Sequence, residues 1–457
     1  MYDPDLYLLA DNHALMHHWG LTRTLGRPAR AADRPLIVAD RPWEGSQIAC
    51  WGTVVHDPAD GLFKLWYQTR DDAAAARNPV SRSVICYASS RDGRTWDKPN
   101  LGVAAYRGST AHNVVYAVDD FDLPHQLDNF VVLHEPSDRD PARRYKMLAW
   151  VRSLEQRFQM GFVSLFSPDG IRWTRHPGYT VPRLGDRMGC YRDHLAGRYV
   201  MNSRQPWRNL RQHGVQGKRQ VARAESLDFV RWTEAESIIK LDDEDGVDDQ
   251  FYGLTPFVWG NQYVGFLELY HRATEHLDLQ LVTSRDGVHW DRPAGRAAFF
   301  GRGPDSAWDE TWAAFTSNPP LVRGDEMWLY YDGRTGGHQT NRRHGAIGLA
   351  TAKRDRFAGL TAGIQEGQAV TERLTCGAKR LLLNLNARCG EVAVDVFDGE
   401  GEPIPGYQRA DASPVSGNHV DAEITWSGKH LAPHVGEPLY LRFWIKYGTL
   451  FAFRFAD

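Results

Sequence analysis

Short runs of alternating apolar and polar residues recur along almost the whole chain. A typical run is Phe63-Lys64-Leu65-Trp66-Tyr67, and the runs are bounded by Gly, Asp, Asn or Pro. This period-two alternation is typical of β-strands that bury one face, whereas no long stretch shows the 3.6-residue period of an amphipathic helix. The sequence therefore predicts an all-β protein.

A seven-residue motif, Ser-x-Asp-Gly-x-x-Trp, punctuates these runs. Asp and Gly favour a tight turn, the Ser and Asp side chains accept hydrogen bonds from turn amides, and Trp packs beneath the loop. One copy for every four predicted strands is the pattern of a β-propeller, with the first interval enlarged by an insertion between Arg107 and Asp128. Three full copies and one degenerate copy end at Trp96, Trp173, Trp290 and, for the degenerate copy, Trp232.

The strand groups predict two domains. Five groups of strands precede Gly363, and after it shorter strands with Gly and Asp turns suit a β-sandwich. We therefore predict a five-bladed β-propeller over residues 1–362 and a C-terminal β-sandwich over residues 363–457. Residues 1–43 are predicted as an N-terminal extension, in which Leu6-Tyr7-Leu8-Leu9 can supply a closing strand to the last blade.

Charge and hydropathy exclude several classes of partner. The 457 residues include 54 basic and 57 acidic side chains, a net charge of −3, so no electrostatic footprint for nucleic acid or an anionic membrane is present. No apolar run is long enough for a membrane span, and the N-terminal residues lack a secretory pattern. The sequence thus favours a cytoplasmic protein whose partner is not a polyanion.

Cysteine and aromatic content refine this picture. The five cysteines stand singly, without metal-ligand spacing, and are predicted to be reduced core residues. The chain has 16 Trp, 18 Tyr and 19 Phe, which is more aromatic residues than a core of this size ordinarily needs. Most are predicted to pack between blades, and a minority to form the stacking platforms that sugar rings favour.

The chain resembles the five-bladed propeller glycoside hydrolases of families 32, 43 and 68, several of which carry a C-terminal β-sandwich. The resemblance rests on the repeated motif, on Trp43-Glu44 before the first blade, on the run from Phe63 to Tyr67, and on Val394–Asp398 with Gly406-Tyr407 in the sandwich. It implies an enzyme that hydrolyses or transfers sugars such as fructosides and arabinosides. It also implies that a divalent ion on the propeller axis is possible, although no spacing indicates a metal ligand set.

The short catalytic motifs of family 32 are not found. Its Trp-Met-Asn-Asp-Pro-Asn-Gly start is absent, and Arg192-Asp193 lacks the Pro of its Arg-Asp-Pro motif. Catalytic residues are therefore predicted from position. The innermost strand of each blade starts near the propeller axis, so acids at these starts should converge on one cavity. The candidates, in order of preference, are Asp249 and Glu310, then Glu44 and Asp186.

Hydrolysis needs one carboxylic acid to protonate the leaving oxygen and one carboxylate to act as nucleophile or to activate water. The aromatic residues that follow the two leading acids, Tyr252 and Trp312, are predicted walls of a sugar subsite. Each candidate acid could instead cap a strand or accept backbone amides at a blade junction. Further predicted substrate-binding residues are His338 on a glycine-rich loop, Asn113 in the insertion, Asp128 at the start of blade two, and Glu268 in an apolar strand.

Three functions are compatible with these features. The favoured one is a glycoside hydrolase or transglycosylase acting on small or terminal glycosides, with furanosides preferred, without a cofactor, and with self-association through the sandwich possible. The second is a propeller that binds carbohydrate without cleaving it. The third is a sialidase-like enzyme, but the hairpin has one residue fewer between Asp and Gly than the sialidase box, and such enzymes need six blades and an arginine triad.

Overall fold

The fold was analysed on a computed structural model, which describes residues 1–70, 83–118, 125–156, 159–182, 184–204, 218–338 and 344–457. Within these ranges the protein is all-β and contains no α-helix. Three short 3-10 helices are present, at Pro141–Arg143, Ala294–Arg296 and Ala432–His434. In this part of the chain no helix has the length and apolar character needed to cross a membrane.

The strands follow one another closely along the chain. In order, they are β1 (Leu6–Leu8), β2 (Leu15–Trp19), β3 (Thr22–Leu25), β4 (Ala29–Arg30), β5 (Gln47–Asp57), β6 (Leu62–Arg70), β7 (Ile85–Ser90), β8 (Val114–Tyr116), β9 (His125–His134), β10 (Tyr145–Ser153), β11 (Met160–Ser167), β12 (Thr174–Arg175), β13 (Val181–Pro182), β14 (Met188–Asp193), β15 (Arg198–Arg204), β16 (Val221–Ser226), β17 (Glu236–Ile239), β18 (Asp249–Trp259), β19 (Gln262–His271), β20 (His276–Ser284), β21 (Ala298–Phe300), β22 (Trp312–Phe315), β23 (Leu321–Arg323), β24 (Glu326–Thr335), β25 (His344–Lys353), β26 (Ala358–Ala362), β27 (Gly367–Thr371), β28 (Leu374–Thr375), β29 (Arg380–Asp398), β30 (Val415–Ile424), β31 (Pro438–Lys446) and β32 (Gly448–Ala456).

Strands β5 to β25 form consecutive antiparallel groups, which we call units A to E. Unit A is β5 to β8, unit B is β9 to β13, unit C is β14 to β17, unit D is β18 to β21, and unit E is β22 to β25. Units D and E share one sheet through a single parallel pairing of Leu277 with Trp312. The first strand of unit A contacts that of B, B contacts C, C contacts D, and β24 and β25 of unit E contact β5 of unit A.

The repeated motif forms the hairpin predicted from its residues. In the first copy the Ser90 hydroxyl accepts the Gly93 amide at 2.8 Å, and the Asp92 carboxylate accepts the Arg94 and Thr95 amides, both at 2.7 Å. These amides lower the pKa of Asp92 to about 2. The same Ser and Asp bonds recur in the copies at Ser167, Ser226 and Ser284. The predicted turn chemistry is therefore confirmed.

Each of these four turns also accepts a hydrogen bond, through a turn carbonyl, from a side chain of the preceding unit. Unit E has no copy of the motif, and there the acceptor is the Asp355 carboxylate, which follows β25. Because unit E in turn bonds to unit A, the bonds form a closed circuit. They run from Tyr330 Oη to Gly93 O (2.7 Å), Trp66 Nε1 to Gly170 O (2.7 Å), Ser164 Oγ to Phe229 O (2.6 Å), Arg223 to Gly287 O (3.0 Å), and Trp259 Nε1 to Asp355 Oδ1 (2.8 Å).

The remaining strands apart from β4 form a separate, curled sheet of ten strands, which we call the C-terminal sheet. The long strand β29 pairs with β30 and β32 in its first half and with β31 in its second half, with the pairing register broken between Ala387 and Val392. Leu383, Val394 and Phe443 are buried in one cluster between the two halves. After unit E, the first strand of this sheet starts at Ala358, before the boundary expected near Gly363.

Strands near the N-terminus pair both with the C-terminal sheet and with unit E. Leu6–Leu8 pairs with β32 of the C-terminal sheet, so the expectation that this segment closes the last blade is wrong. The strand added to unit E is instead Ala29–Arg30, which pairs with Thr351 and Ala350 of β25. The sequence pattern missed it because two residues are too few to show alternation.

Candidate functional site

The units meet at a buried ion pair between Arg187 and Glu268. Arg187 immediately precedes β14 of unit C, and its Nε lies 2.9 Å from both carboxylate oxygens of Glu268 in unit D. The same guanidinium lies 3.4 Å from Ser317 Oγ of unit E and 5.6 Å from the ring of Trp51 in unit A. Both charged side chains are almost fully buried. Contacts from four units place this pair where the units converge.

Three aromatic rings lie beside this pair, and we call Trp51, Tyr252 and Trp312 the aromatic floor. Their centroids are 5.0 Å apart for Tyr252–Trp312 and 6.4 Å apart for the two pairs that include Trp51. Each ring is less than 5% exposed: 4% for Trp51, 3% for Tyr252 and 2% for Trp312. His338 stacks on Trp312 with centroids 5.5 Å apart and an interplanar angle of 22°. The predicted residues Tyr252, Trp312 and His338 are therefore brought together.

β-Bulges aim side chains of three first strands toward this region. The pairing register shifts between Ala49 and Thr53 in β5, and between Phe251 and Gly253 in β18. Trp51 and Tyr252 lie within these bulges. In β9 the bulge contains Asp128 and Asn129, opposite the step from Ala149 to Val151. A bulge breaks the strict alternation of faces and redirects the residues it contains.

Guanidinium groups cover the faces of the floor rings. Arg334 lies 4.5 Å from the Trp51 centroid and 4.9 Å from that of Trp312, and it is paired with the buried Asp332 at 2.7 Å. Arg204 and Arg219 lie 5.0 and 5.4 Å from the Tyr252 centroid. These cation–π contacts fix the floor and make its surroundings rich in hydrogen-bond donors.

Two half-buried carboxylates, Asp128 and Asp186, lie near Arg204, whose guanidinium covers Tyr252. Asp186 forms an ion pair with Arg204. Asp128 accepts a hydrogen bond from Gln68 Nε2 at 3.2 Å, and Gln68 Oε1 also accepts the Asn129 amide at 2.7 Å. Burial lowers the pKa of the Arg204 guanidinium, and Asp128 and Glu268 are close enough to oppose that shift. Asp128 and Asp186 therefore both lie around Arg204.

The two leading candidate acids are engaged in local contacts. Asp249 accepts the Gly246 amide at 2.9 Å, and its other oxygen lies 2.7 Å from His271 Nδ1. Glu310 accepts the Ser306 amide at 2.7 Å. These are the strand-capping and loop-capping roles that the sequence left open as the alternative. Among the described residues, no hydrogen bond or ion pair joins Asp249 or Glu310 to the side chains of the aromatic floor.

Glu44 is enclosed in a separate network within unit A. It is 0% exposed, accepts the Tyr67 hydroxyl at 2.5 Å, and lies 2.6 Å from Lys98 Nζ. Asn113, also 0% exposed, donates to the Tyr67 hydroxyl at 2.7 Å and accepts Trp43 Nε1 at 2.8 Å. Glu44 and Asn113 are therefore both held by contacts within unit A, and their roles at a sugar site stay predictions.

Glu268, predicted from its place in an apolar strand to bind substrate, is the acid of the buried ion pair with Arg187. The sequence analysis did not select Arg187, Arg219, Arg334 or Trp51. Arginines gave no signal because their neighbours in space come from distant units. Trp51 was included only as part of a predicted strand, and the bulge that aims it has no recognisable sequence pattern.

The described residues offer no ligand set for an axial divalent ion. No group of three or more His, Cys, Asp or Glu side chains within them is arranged to hold a metal. Where the units converge, the protein places the Arg187 guanidinium, a cation that does not fit beside a metal ion. We therefore derive no step through a metal.

A surface groove of about 370 Å³ lies elsewhere, on unit B. Arg143, Phe166, Arg175 and His176 contribute to its lining, and none of its described lining residues carries a carboxylate. It therefore lacks the groups that glycoside hydrolysis requires.

Comparison with solved structures identifies proteins of the same fold at low sequence identity. A protein solved as a glycoside hydrolase is 14% identical with a TM-score of 0.52, covering 72% of this chain and 92% of that chain. A glycosyl hydrolase from Bacteroides ovatus is 13% identical with a TM-score of 0.51, covering 73% and 95%. At these identities the likeness shows a shared fold, that of the propeller-type glycoside hydrolases.

A third solved structure comes from work on the GH130 family of mannoside phosphorylases, which contains glycoside hydrolases that target β-1,2-mannosidic linkages. It is 13% identical with a TM-score of 0.50, covering 72% of this chain and 95% of that chain. A scan against protein-family models and a search of curated proteins both give no match.

Proposed function

We propose that the protein is a glycoside hydrolase or transglycosylase that acts on small or terminal glycosides over the aromatic floor. The observation that carries this proposal is the combination of the floor with two half-buried carboxylates near Arg204, Asp128 and Asp186. Aromatic rings bind the apolar face of a sugar, and a carboxylate pair supplies the two groups that glycosidic cleavage needs. The shared fold with glycoside hydrolases supports the same reaction class.

The proposal includes the architecture of a five-bladed propeller followed by a β-sandwich. The closed circuit of hydrogen bonds through units A to E supports five blades. The apolar cluster between the two halves of the C-terminal sheet supports a sandwich. The sandwich packs against the propeller, since Leu6, Leu8 and Ala452 share an apolar cluster with residues of units D and E.

The environments of the two carboxylates suggest different roles. Asp186 is ion-paired with Arg204, which suits a group that must remain ionised as nucleophile or base. Asp128 forms no ion pair with a described residue, so of the two acids we assign it the role of proton donor to the leaving oxygen. In this assignment Asp128 protonates the glycosidic oxygen as its bond to the anomeric carbon breaks. Asp186 then attacks that carbon or takes a proton from the attacking water.

The sugar itself is assigned by resemblance and not by a contact. Fructosides and arabinosides are the substrates that the resemblance implies, so furanosides belong in any substrate panel beside pyranosides. The sialidase-like alternative is disfavoured, because it needs six blades and the circuit passes through five units.

Turnover of a broad panel of aryl and natural glycosides tests the proposal. We expect the wild-type protein to cleave at least one of them, and Asp128→Asn and Asp186→Asn each to lower kcat at least about 100-fold. Asp243→Asn makes the same change at an exposed acid and should keep full activity. If Asp249→Asn or Glu310→Gln abolished activity while the first two variants kept it, the preference for Asp249 and Glu310 would be right and this assignment wrong.

A propeller that binds carbohydrate without cleaving it is the second candidate. The observation in its favour is that two of the acids near the floor, Glu268 and Asp332, are tied to arginines and unavailable for chemistry. Calorimetric binding of sugars together with no turnover over long incubation would establish this function instead.

A further inference from the structure

Two guanidinium groups share one phenol ring at the edge of the floor. Arg204 and Arg219, both from unit C, lie 5.0 and 5.4 Å from the Tyr252 centroid, and Arg219 also lies 5.5 Å from that of Tyr270. Like charges this close repel each other unless anions lie nearby. Negative charge is therefore needed nearby to balance the two guanidinium groups.

The carboxylates in direct contact do not balance these two cations. Arg204 is paired with Asp186. Arg219 hydrogen-bonds the neutral Gln250 side chain, and no carboxylate of the described residues lies within ion-pair distance of it. One positive charge is thus left without a direct anionic partner, at a side chain that is itself half-buried.

The same place has more buried donors than acceptors. Arg204 is 7% exposed, and its Nε is buried with no hydrogen-bond acceptor in the described part of the protein. The indole N–H groups of Trp51 and Trp312 are likewise buried and lack an acceptor there. Buried donors without acceptors cost free energy, so the site is complementary to a ligand that only accepts hydrogen bonds.

We propose that Arg204 and Arg219 form an anion subsite over Tyr252. Its ligand is an oxyanion that planar guanidinium groups can bind through paired N–H donors. The carboxylate of an acidic sugar, on either side of the scissile bond, is one source of this group, and free phosphate is the other. That the subsite serves a sugar rests on the proposed function, whereas the anion chemistry rests on Arg204 and Arg219 alone.

Calorimetric titration with four monosaccharides and with inorganic phosphate tests the subsite. Glucuronate and galacturonate carry a carboxylate where glucose and galactose carry a hydroxymethyl group. We expect the acidic sugars to bind at least about tenfold more tightly than their neutral counterparts. Arg219→Gln should reduce this preference to about twofold or less, taken as the ratio of acidic-sugar to neutral-sugar affinity in the same variant.

Arg272→Gln is the matched control. Arg272 is an exposed cation of unit D that is close enough to influence Tyr270 electrostatically, and no stacking contact or ion pair is described for it. The change removes the same charge without touching Tyr252, so the preference for acidic sugars should persist. Equal loss in the Arg272→Gln and Arg219→Gln variants would attribute the preference to general charge and overturn the subsite.

The phosphate titration separates the two sources. Phosphate binding that depends on Arg219, with no preference for acidic over neutral sugars, identifies free phosphate as the ligand. Binding of neither anion, or binding unaffected by Arg219→Gln, overturns the subsite. Arg219-dependent binding of an acidic sugar without turnover of any glycoside keeps the subsite and contradicts the proposed function. Turnover of neutral glycosides, with no preference for acidic sugars and no binding of phosphate, keeps the proposed function and contradicts the subsite.

Discussion

Charge pairing at individual residues decides which acids near the floor are available for chemistry. Glu268 and Asp332 are bound to Arg187 and Arg334 with almost no exposed surface. Removing one member of such a buried pair leaves an uncompensated charge, so both acids are more readily explained as structural. Asp128 differs because its described hydrogen-bond donor is a neutral amide. This contrast is the reason for assigning it the proton-donor role.

His271 links Asp249 to Asp278 and should make stability depend on pH. Its hydrogen bond to Asp278, with that to Asp249, raises its pKa from 6.5 to about 9, although burial opposes the shift. A group whose pKa rises on folding stabilises the protein fully below the unfolded pKa and loses that contribution as pH rises through the folded value. We therefore expect the thermal unfolding midpoint to fall between pH 6.5 and about 9.

His271→Gln removes the titrating group and should flatten this part of the pH profile. Scanning calorimetry of both proteins across the range provides the measurement. An unchanged slope in the variant would show that another group is responsible.

The hairpins act at the scale of the element, as contacts between neighbouring units. Gly170 has a φ of +75°, and a Cβ placed there would lie 2.6 Å from Trp66 Cζ2, whose indole N–H bonds to the Gly170 carbonyl. Gly61 has nearly the same φ, +71°, but nothing lies within 4 Å of its Cβ position. Alanine substitutions at these two positions therefore share the backbone strain, and only the one at Gly170 adds a steric conflict.

Gly61→Ala should cost about 1 kcal/mol of unfolding free energy, because alanine is strained at positive φ. Gly170→Ala should cost a further 1 to 3 kcal/mol, roughly, since Trp66 must move. Urea unfolding of both variants gives the difference directly. Equal losses of unfolding free energy in the two variants would mean that Trp66 can move away from residue 170 without destabilising the contact between units A and B.

Elements also show what the sequence could and could not predict. The motif from Ser90 to Trp96 specified its own turn bonds, because every group in them lies within seven residues. The first strands were located from alternation, yet the bulges at Trp51, Asp128 and Tyr252 break that alternation and redirect side chains. A strand-start rule therefore selected Asp249 and Glu310, whose partners are local, and ranked Asp128 low. Arg219 could not be selected because its ring contact, Tyr252, lies in another unit.

At the scale of the whole molecule, the N-terminal residues bind the C-terminal sheet to the rest. Leu9, Leu15 and Leu21 are buried in the apolar cluster of the C-terminal sheet, although they precede unit A. A sequence boundary at residue 363 cannot show this, since the pairing of β1 with β32 joins the two ends of the chain.

Deleting residues 1–26 should therefore destabilise the protein severely. Each of the three leucines contributes roughly 2 kcal/mol by burial, and the strands β1 to β3 are lost with them. We expect aggregation or a large fall in the thermal unfolding midpoint, and recovery of soluble protein when a peptide of residues 1–26 is co-expressed. A truncated protein with the wild-type midpoint would contradict the observed pairing.

A crystal structure of the Asp186→Asn variant with a bound glycoside tests the central claim most directly. The account predicts a sugar ring beside the aromatic floor, with the glycosidic oxygen within hydrogen-bond distance of Asp128. A sugar bound instead beside Asp249 or Glu310, or on the C-terminal sheet with the floor empty, would contradict it.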